Sequence, residues 1–301
     1  MNKSKNLAIL ILLGLIWSTF AIFTKIPATN NISPFFISFS RLLIGGIILF
    51  LIAFLQKRKI FTKENFKHYA LVGFFNSALP FTLFAIAAKP LESSVVAILD
   101  GTVPMFEIII SIFILKTAID KGAILGVFCG IIGIIFTSFG EGISLVNLHE
   151  NILYVTILLC ATCSYAATSI YINLKCKNIQ PISLACGSVF FATIYLIPSV
   201  FFVDFSAIDF KVGASLFGLG SLCTGVAYIF YFKLATEESP RFVVSVVLLI
   251  PVFGSILGTL FMGDVLTFNK IIGCLMILIS LKFILNLSPK SFLKAKTPHI
   301  V

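Results

Sequence analysis

Three ionisable side chains, Arg41, Asp100 and Glu107, stand well inside long apolar runs of the sequence. In hydrocarbon each costs about 2.5–3.5 kcal/mol on insertion scales, so each needs a reason to be there. Arg41 lies about eight residues into its run, roughly 12 Å at 1.5 Å per residue, and Asp100 about seven residues into its own from the same side, roughly 10 Å. The matched depth allows an ion pair, either a buried bridge that fixes helix register or a pair that meets a charged solute or a proton. Glu107 follows Asp100 by seven residues and projects from about the same helical face. It falls near the expected bilayer midplane, where solute sites of carriers lie. A carboxyl group there is largely desolvated, which suits proton coupling; the alternative is a glutamic acid hydrogen-bonded to a neighbouring helix.

Polar-tipped aromatics form a second group. Trp17 is the single tryptophan and lies mid-run, away from the interfacial belt where tryptophan concentrates. Its N–H needs a partner, as do the hydroxyls of Tyr165, Tyr228 and Tyr231, and Asn76 adds an amide. Aromatic faces with a few polar tips are what small-molecule sites look like, although with 33 Phe in the chain simple packing competes with that reading. Pro104 and Pro251 each remove a backbone hydrogen bond within an apolar run and are candidate hinges; a static kink is the alternative. No metal or cofactor set is expected. Cys160 and Cys163 have CxxC spacing, but no second pair or nearby histidine completes a zinc site. The seven cysteines lie mostly in apolar runs and read as packing residues.

The elements that must position these residues follow from composition. Of the 301 residues 59% are hydrophobic and 11% charged, with mean hydropathy +1.10. A soluble domain keeps roughly a quarter of its residues charged, so the outer surface faces lipid. A bilayer core of ~30 Å needs about 20 apolar residues per helix. That ruler predicts ten spans, near 6–25, 33–55, 69–88, 93–115, 121–139, 151–173, 180–203, 211–235, 240–262 and 268–287. The first resembles a signal peptide but is expected to be retained, its apolar run from Leu7 to Phe23 being long and followed by no cleavage site. With the N-terminus inside, sixteen basic residues fall on one side and Lys25, Lys89, Lys211 and Lys270 on the other; Arg41 and Lys282, within spans, complete the 22. Positive charge marks the cytoplasmic side. Both termini are therefore expected there, as an even number of spans requires. The same placement makes the net charge of +10 a topology signal and argues against nucleic acid as a partner.

The second half echoes the first at a constant offset. Pro104 matches Pro251 (251 − 104 = 147), and the same shift pairs Gly73 with Gly220, Ala88 with Ala235, Val96 with Val243, Phe106 with Phe253 and Gly126 with Gly273. Glycine and proline each fix a backbone property, so their coincidence weighs more than matched Val or Phe. Five spans per repeat, an odd number, make the two copies enter the membrane from opposite sides, an architecture that recurs in secondary transporters. The expected organisation is a first five-helix repeat over 1–139, a second over 151–287 and a cytoplasmic tail over 288–301. The fold class is all-α: a polytopic membrane protein of ten transmembrane helices in two inverted repeats.

The chain resembles the EamA family of the drug/metabolite transporter superfamily along nearly its whole length. The resemblance rests on Gly14-Leu15-Ile16-Trp17-Ser18, Ser40-Arg41-Leu42, Ser93-Ser94-Val95-Val96-Ala97 running to Val103-Pro104, and Ile250-Pro251-Val252-Phe253. Met262-Gly263-Asp264 is similar to the family's acidic residue after the proline-containing helix, whereas the first half reads Leu115-Lys116-Thr117. The resemblance implies a ten-helix carrier of amino acids or related metabolites with a central cavity, needing no cofactor.

The expected function is alternating-access export of a small solute across a bacterial inner membrane, with the lipid bilayer and a coupling proton as further partners. Richness in Lys, Asn, Ile and Phe points to an AT-rich genome and supports a second reading, import of a host metabolite by a host-dependent bacterium. No Walker phosphate loop, HExxH or GxSxG occurs, which counts against ATP hydrolysis and an intramembrane enzyme. A channel is the remaining class. The oligomeric state, a homodimer among the alternatives, is left open.

Overall fold

Surrounded by hydrocarbon, every backbone N–H and C=O has to be satisfied within its own segment. The chain meets that demand with helices, and no strand occurs among the described residues. The computed structural model describes residues 3–58, 60–115, 121–138, 145–238, 242–243 and 245–284. The tail 288–301 and Lys116 and Thr117 of the first-half segment lie outside them.

Among the described residues eight helices are long and apolar enough to cross a membrane: α1 (Ser4–Thr29), α2 (Pro34–Leu55), α3 (Lys63–Ala88), α4 (Ser93–Ile114), α6 (Ile152–Lys175), α7 (Pro181–Phe202), α8 (Phe210–Tyr231) and α9 (Ser245–Met262). Two shorter ones, α5 (Lys121–Ser138) and α10 (Phe268–Ile284), pack along each other and occupy the places of the fifth and tenth spans. Large apolar side chains face outward, Phe202 at 83% exposure and Phe210 at 92%, as a lipid-facing surface requires. The ends are written in the sequence. Pro34 and Pro181, themselves 147 apart, open α2 and α7 in the first helical turn, where no N–H is needed. Asp209 caps α8 by accepting the Val212 N–H at 2.7 Å, and Gly263, at φ 71°, ends α9 in the left-handed conformation.

Several spans predicted as continuous are interrupted, and the interruptions repeat. α4 is two helices, α4a (Ser93–Asp100) and α4b (Val103–Leu115), joined by a turn at Gly101 and Thr102. Its counterpart α9 begins with a 3₁₀ turn, Ser245–Leu248, which occupies the positions 147 residues beyond 98–101. Pro104 therefore lies in the first turn of α4b and Pro251 in the first turn after the 3₁₀ segment, where a missing N–H is tolerated, and not in the middle of an unbroken helix. A π-helical turn at Phe74–Ala78 in α3 recurs at Ser221–Val226 in α8, again at the same offset.

Packing obeys the same exchange. α2 packs on α8 and α7 on α3; α1 packs on α9 and α6 on α4; α1 packs on α8 and α6 on α3. Individual atoms agree. A Cβ on Gly73 would meet the Ser188 carbonyl at 2.4 Å and the Phe191 side chain, and one on Gly220 would meet the Arg41 carbonyl at 3.0 Å and the Ile44 side chain. Residues 188 and 191 are the 147-shifted equivalents of 41 and 44, so one close approach is the copy of the other. α5 and α10, which exchange with each other, run antiparallel: Gly126 faces Ile284, Gly130 faces Ser280 and Gly133 faces Ile277. A two-fold relation between antiparallel neighbours has its axis across the helices, in the membrane plane. The two five-helix repeats are inverted.

Gly73→Val puts branched carbon against the backbone of α7, and overpacking of that kind costs about 1–3 kcal/mol. The variant is expected to unfold at a clearly lower temperature in detergent than Gly213→Ala, whose added Cβ meets only Ile208 at 3.9 Å. Equal melting temperatures would contradict the packing described.

Candidate functional site

The π-turn and the helix breaks bring side chains from both repeats together. Arg41, on α2, donates from Nε to the Thr224 Oγ1 on the π-turn of α8 at 3.1 Å. Its guanidinium carbon lies 3.7 Å from the centroid of the Phe81 ring on α3, a cation–π contact. The Arg41 charge bears on Asp100 at the end of α4a, on Tyr165 of α6 and on Tyr228 and Cys223 of α8. Among the described residues Lys270–Glu92 is an ion pair within 4.0 Å and Arg41–Asp100 is not. The expected pair is thus brought into one electrostatic neighbourhood without closing into a bridge. Arg41 is anchored instead by a neutral hydroxyl and an aromatic face.

A wall of rings continues from this cation. Tyr165 packs against Phe81 and Phe84 with centroids 6.4 and 6.0 Å apart. Tyr228 and Tyr231 are 6.4 Å apart at 70°, and Tyr231 lies 5.8 Å from Trp17 of α1. Glu107 on α4b lies within the influence of the Ser169 hydroxyl of α6, and its charge bears on Tyr231. Arg41, Asp100, Glu107, Trp17, Tyr165, Tyr228 and Tyr231 therefore converge from α1, α2, α4, α6 and α8. Asn76 is half-buried on the π-turn of α3 and shares no hydrogen bond or ring contact with this group among the described residues. At the 147 offset its position corresponds to Cys223.

The arrangement can do three things chemically. A guanidinium held at the side by Thr224 keeps further donors to offer a carboxylate or phosphate. Tyrosine and indole faces can cover an apolar body or a cation. Two carboxyl groups at different depths can carry or compensate a proton or an ammonium. Sequence reading missed Thr224, Phe81 and Ser169. The first two are set beside Arg41 by helix crossings that only the repeat offset hints at, and hydroxyls in apolar runs carry no motif of their own. A groove of ≈ 240 Å³ between α3 and α6, lined by Leu71, Phe75, Ala167, Thr168 and Tyr171, is apolar and contains none of the charged residues.

Comparison with known proteins agrees with this architecture. The model of the EamA-like transporter family matches residues 5–139 and again residues 152–286. An uncharacterized transporter of Bacillus subtilis (strain 168), YoaV, is 26% identical over 270 residues, covering 87% of this chain and 90% of its own. An uncharacterized transporter of Buchnera aphidicola is 24% identical over 265 residues, covering 85% and 86%. A solved crystal structure superposes with a TM-score of 0.65 at 15% identity over 93% of this chain and 96% of its own, a likeness of fold alone. With two family matches on two inverted five-helix repeats, the chain belongs to the EamA-like transporter family and is a polytopic membrane transporter.

Proposed function

We propose that the chain exports a small metabolite, an amino acid or a related compound, across a bacterial inner membrane by alternating access. The basic face is cytoplasmic and carries both termini, and the face with Lys25, Lys89 and Lys270 is the outer one. The two repeats are residues 1–139 and 151–287, followed by a cytoplasmic tail. The observation that carries the reading is the convergence of Arg41, Asp100, Glu107 and the tyrosines from both repeats at the level of the repeated helix breaks. Arg41 binds an anionic group of the solute, the aromatic wall covers its body, and Glu107 carries a coupling proton.

Alternating access needs two states of nearly equal energy, and two repeats that exchange conformations supply them. Purified protein in liposomes, screened against a panel of amino acids and related metabolites, is expected to show saturable uptake and counterflow of one of them. Flux that rises without saturation and shows no counterflow would mean a channel. Orientation of the liposome-inserted protein, set against the direction of the imposed gradient, distinguishes export from import.

A further inference from the structure

The described residues show how the sparsely basic face is closed. On the sparsely basic face, α4a and α9 are in contact along their length: Gly254 leaves room for Ala97, Gly258 for the Ser94 N–H, and Gly101 for Pro251. α4b packs against α6, α5 and α10, and the 3₁₀ turn Ser245–Leu248 packs against α1. Among the described residues the two spans are joined on the sparsely basic face.

Charge holds the joined end. Lys270, 5% exposed, pairs with Glu92 and donates a second bond to the Val265 carbonyl at 2.6 Å. Asp264, 7% exposed, accepts the Ser94 N–H at 2.7 Å, a carboxylate at the N-terminus of α4a. Lys25, at the end of α1, donates to the Leu91 carbonyl and lies within the field of Asp264 and Glu92. The Glu92–Lys270, Ser94–Asp264 and Leu91–Lys25 links tie the start of α4 to α10, to the turn before it and to the end of α1, and the Lys270–Val265 bond braces that turn. Glu92–Lys270 and Ser94–Asp264 both cross from one repeat to the other.

The repeat offset gives the sequence positions that correspond to them. The equivalents of Lys25, Glu92, Asp264 and Lys270 are Ile172, Ser239, Thr117 and Ala123. None is charged. A pair of exchanging repeats would otherwise give two states of similar energy, and at the repeat offset these four charges have no charged counterparts.

We propose that Lys25, Glu92, Asp264 and Lys270 form a one-sided latch that breaks the balance between the repeats. It makes closure of the sparsely basic face the resting state and leaves the central site facing the basic side until solute is bound. The proposal rests on the carrier reading above. It adds that the bias comes from this polar network and not from the apolar packing of α4a on α9.

The test uses full-length protein in which the seven native cysteines are replaced and Thr102, buried at the α4 break beneath the latch, is changed to cysteine. Labelling by a membrane-impermeant thiol reagent is timed from each face in sided vesicles. With the latch intact, labelling is expected from the basic face and to be slow from the other. Glu92→Gln, and separately Lys270→Met, are expected to raise the rate from the sparsely basic face by about tenfold and lower it from the basic face, as a shifted two-state population requires. Glu92 is 41% exposed, so Glu92→Gln keeps the test available if Lys270→Met does not fold. Unchanged rates in the folded variants, with counterflow preserved, would overturn the latch and leave the carrier reading standing. If the unsubstituted chain shows neither sided labelling nor counterflow, the carrier reading fails and the latch fails with it.

Discussion

Replacing Arg41 by alanine is expected to lower kcat/KM for solute exchange by about two orders of magnitude while the protein remains folded in detergent. Truncating one partner of a desolvated charge contact costs about 2–5 kcal/mol, which is roughly 30-fold to several thousand-fold in binding. The local structure loses far less: one hydrogen bond to Thr224, worth about 0.5–1.5 kcal/mol, and a cation–π contact with Phe81, worth about 0.5–2 kcal/mol. Activity and stability should therefore separate. Arg41→Lys keeps the charge but not the planar fork that meets a carboxylate with two parallel bonds, so it should fall between the two. Measured exchange within threefold of the unsubstituted protein in Arg41→Ala would remove Arg41 from the site.

Glu107→Gln is expected to abolish the acceleration of transport by a pH gradient while solute counterflow without a gradient persists. Coupling one proton across one pH unit supplies about 1.4 kcal/mol, a tenfold accumulation, and an amide cannot carry that proton. Gln keeps the size and hydrogen-bonding capacity of the side chain facing Ser169, so the packing of α4b against α6 is expected to persist and the change to fall on coupling. Asp100→Asn should behave differently. Asp100 ends α4a within the field of Arg41, and neutralising it leaves the guanidinium without its counter-charge. Its expected signature is a changed apparent affinity for charged solutes together with lower stability. Gradient-driven uptake by Glu107→Gln equal to that of the unsubstituted protein would assign the proton elsewhere.

Much of this architecture was legible because lipid restricts what a sequence can mean. Apolar runs of about 20 residues had to be helices, and Pro34, Pro181, Asp209 and Gly263 stand where helix ends require them. The inverted repeat was legible through Gly73 and Gly220 because both occupy places where helices approach too closely for any side chain. The interruptions were not legible. Nothing in Phe74–Ala78 or Ser221–Val226 marks a π-turn, since the extra backbone turn is set by packing across to α7 and α2. Pro104 and Pro251 pointed to irregularity, yet the breaks fall before them, at Gly101–Thr102 and Ser245–Leu248.

At the site, residue type was a better guide than relation. Arg41, Asp100, Glu107, Trp17 and the three tyrosines were recognisable as costly or polar-tipped groups in hydrocarbon. Their partners were not, because Thr224 lies 183 residues from Arg41 and only a helix crossing joins them. Asn76 had the same credentials as the others and stands apart from them among the described residues. The Lys25, Glu92, Asp264 and Lys270 network was seen in sequence only as a sparse set of outer charges and one acidic motif, since its meaning depends on α4 and α9 meeting.

The most direct measurement is a pair of distances, one on each face, between spin labels read with and without solute. Labels at Lys89 and Val265 report on the sparsely basic face beside the latch, and labels at Phe113 of α4b and Lys5 of α1 report on the other. Saturating solute is expected to lengthen the first distance and shorten the second in the same molecules, because closing one face through exchanging repeats opens the other. Two distances that stay fixed, or that lengthen together, would contradict alternating access.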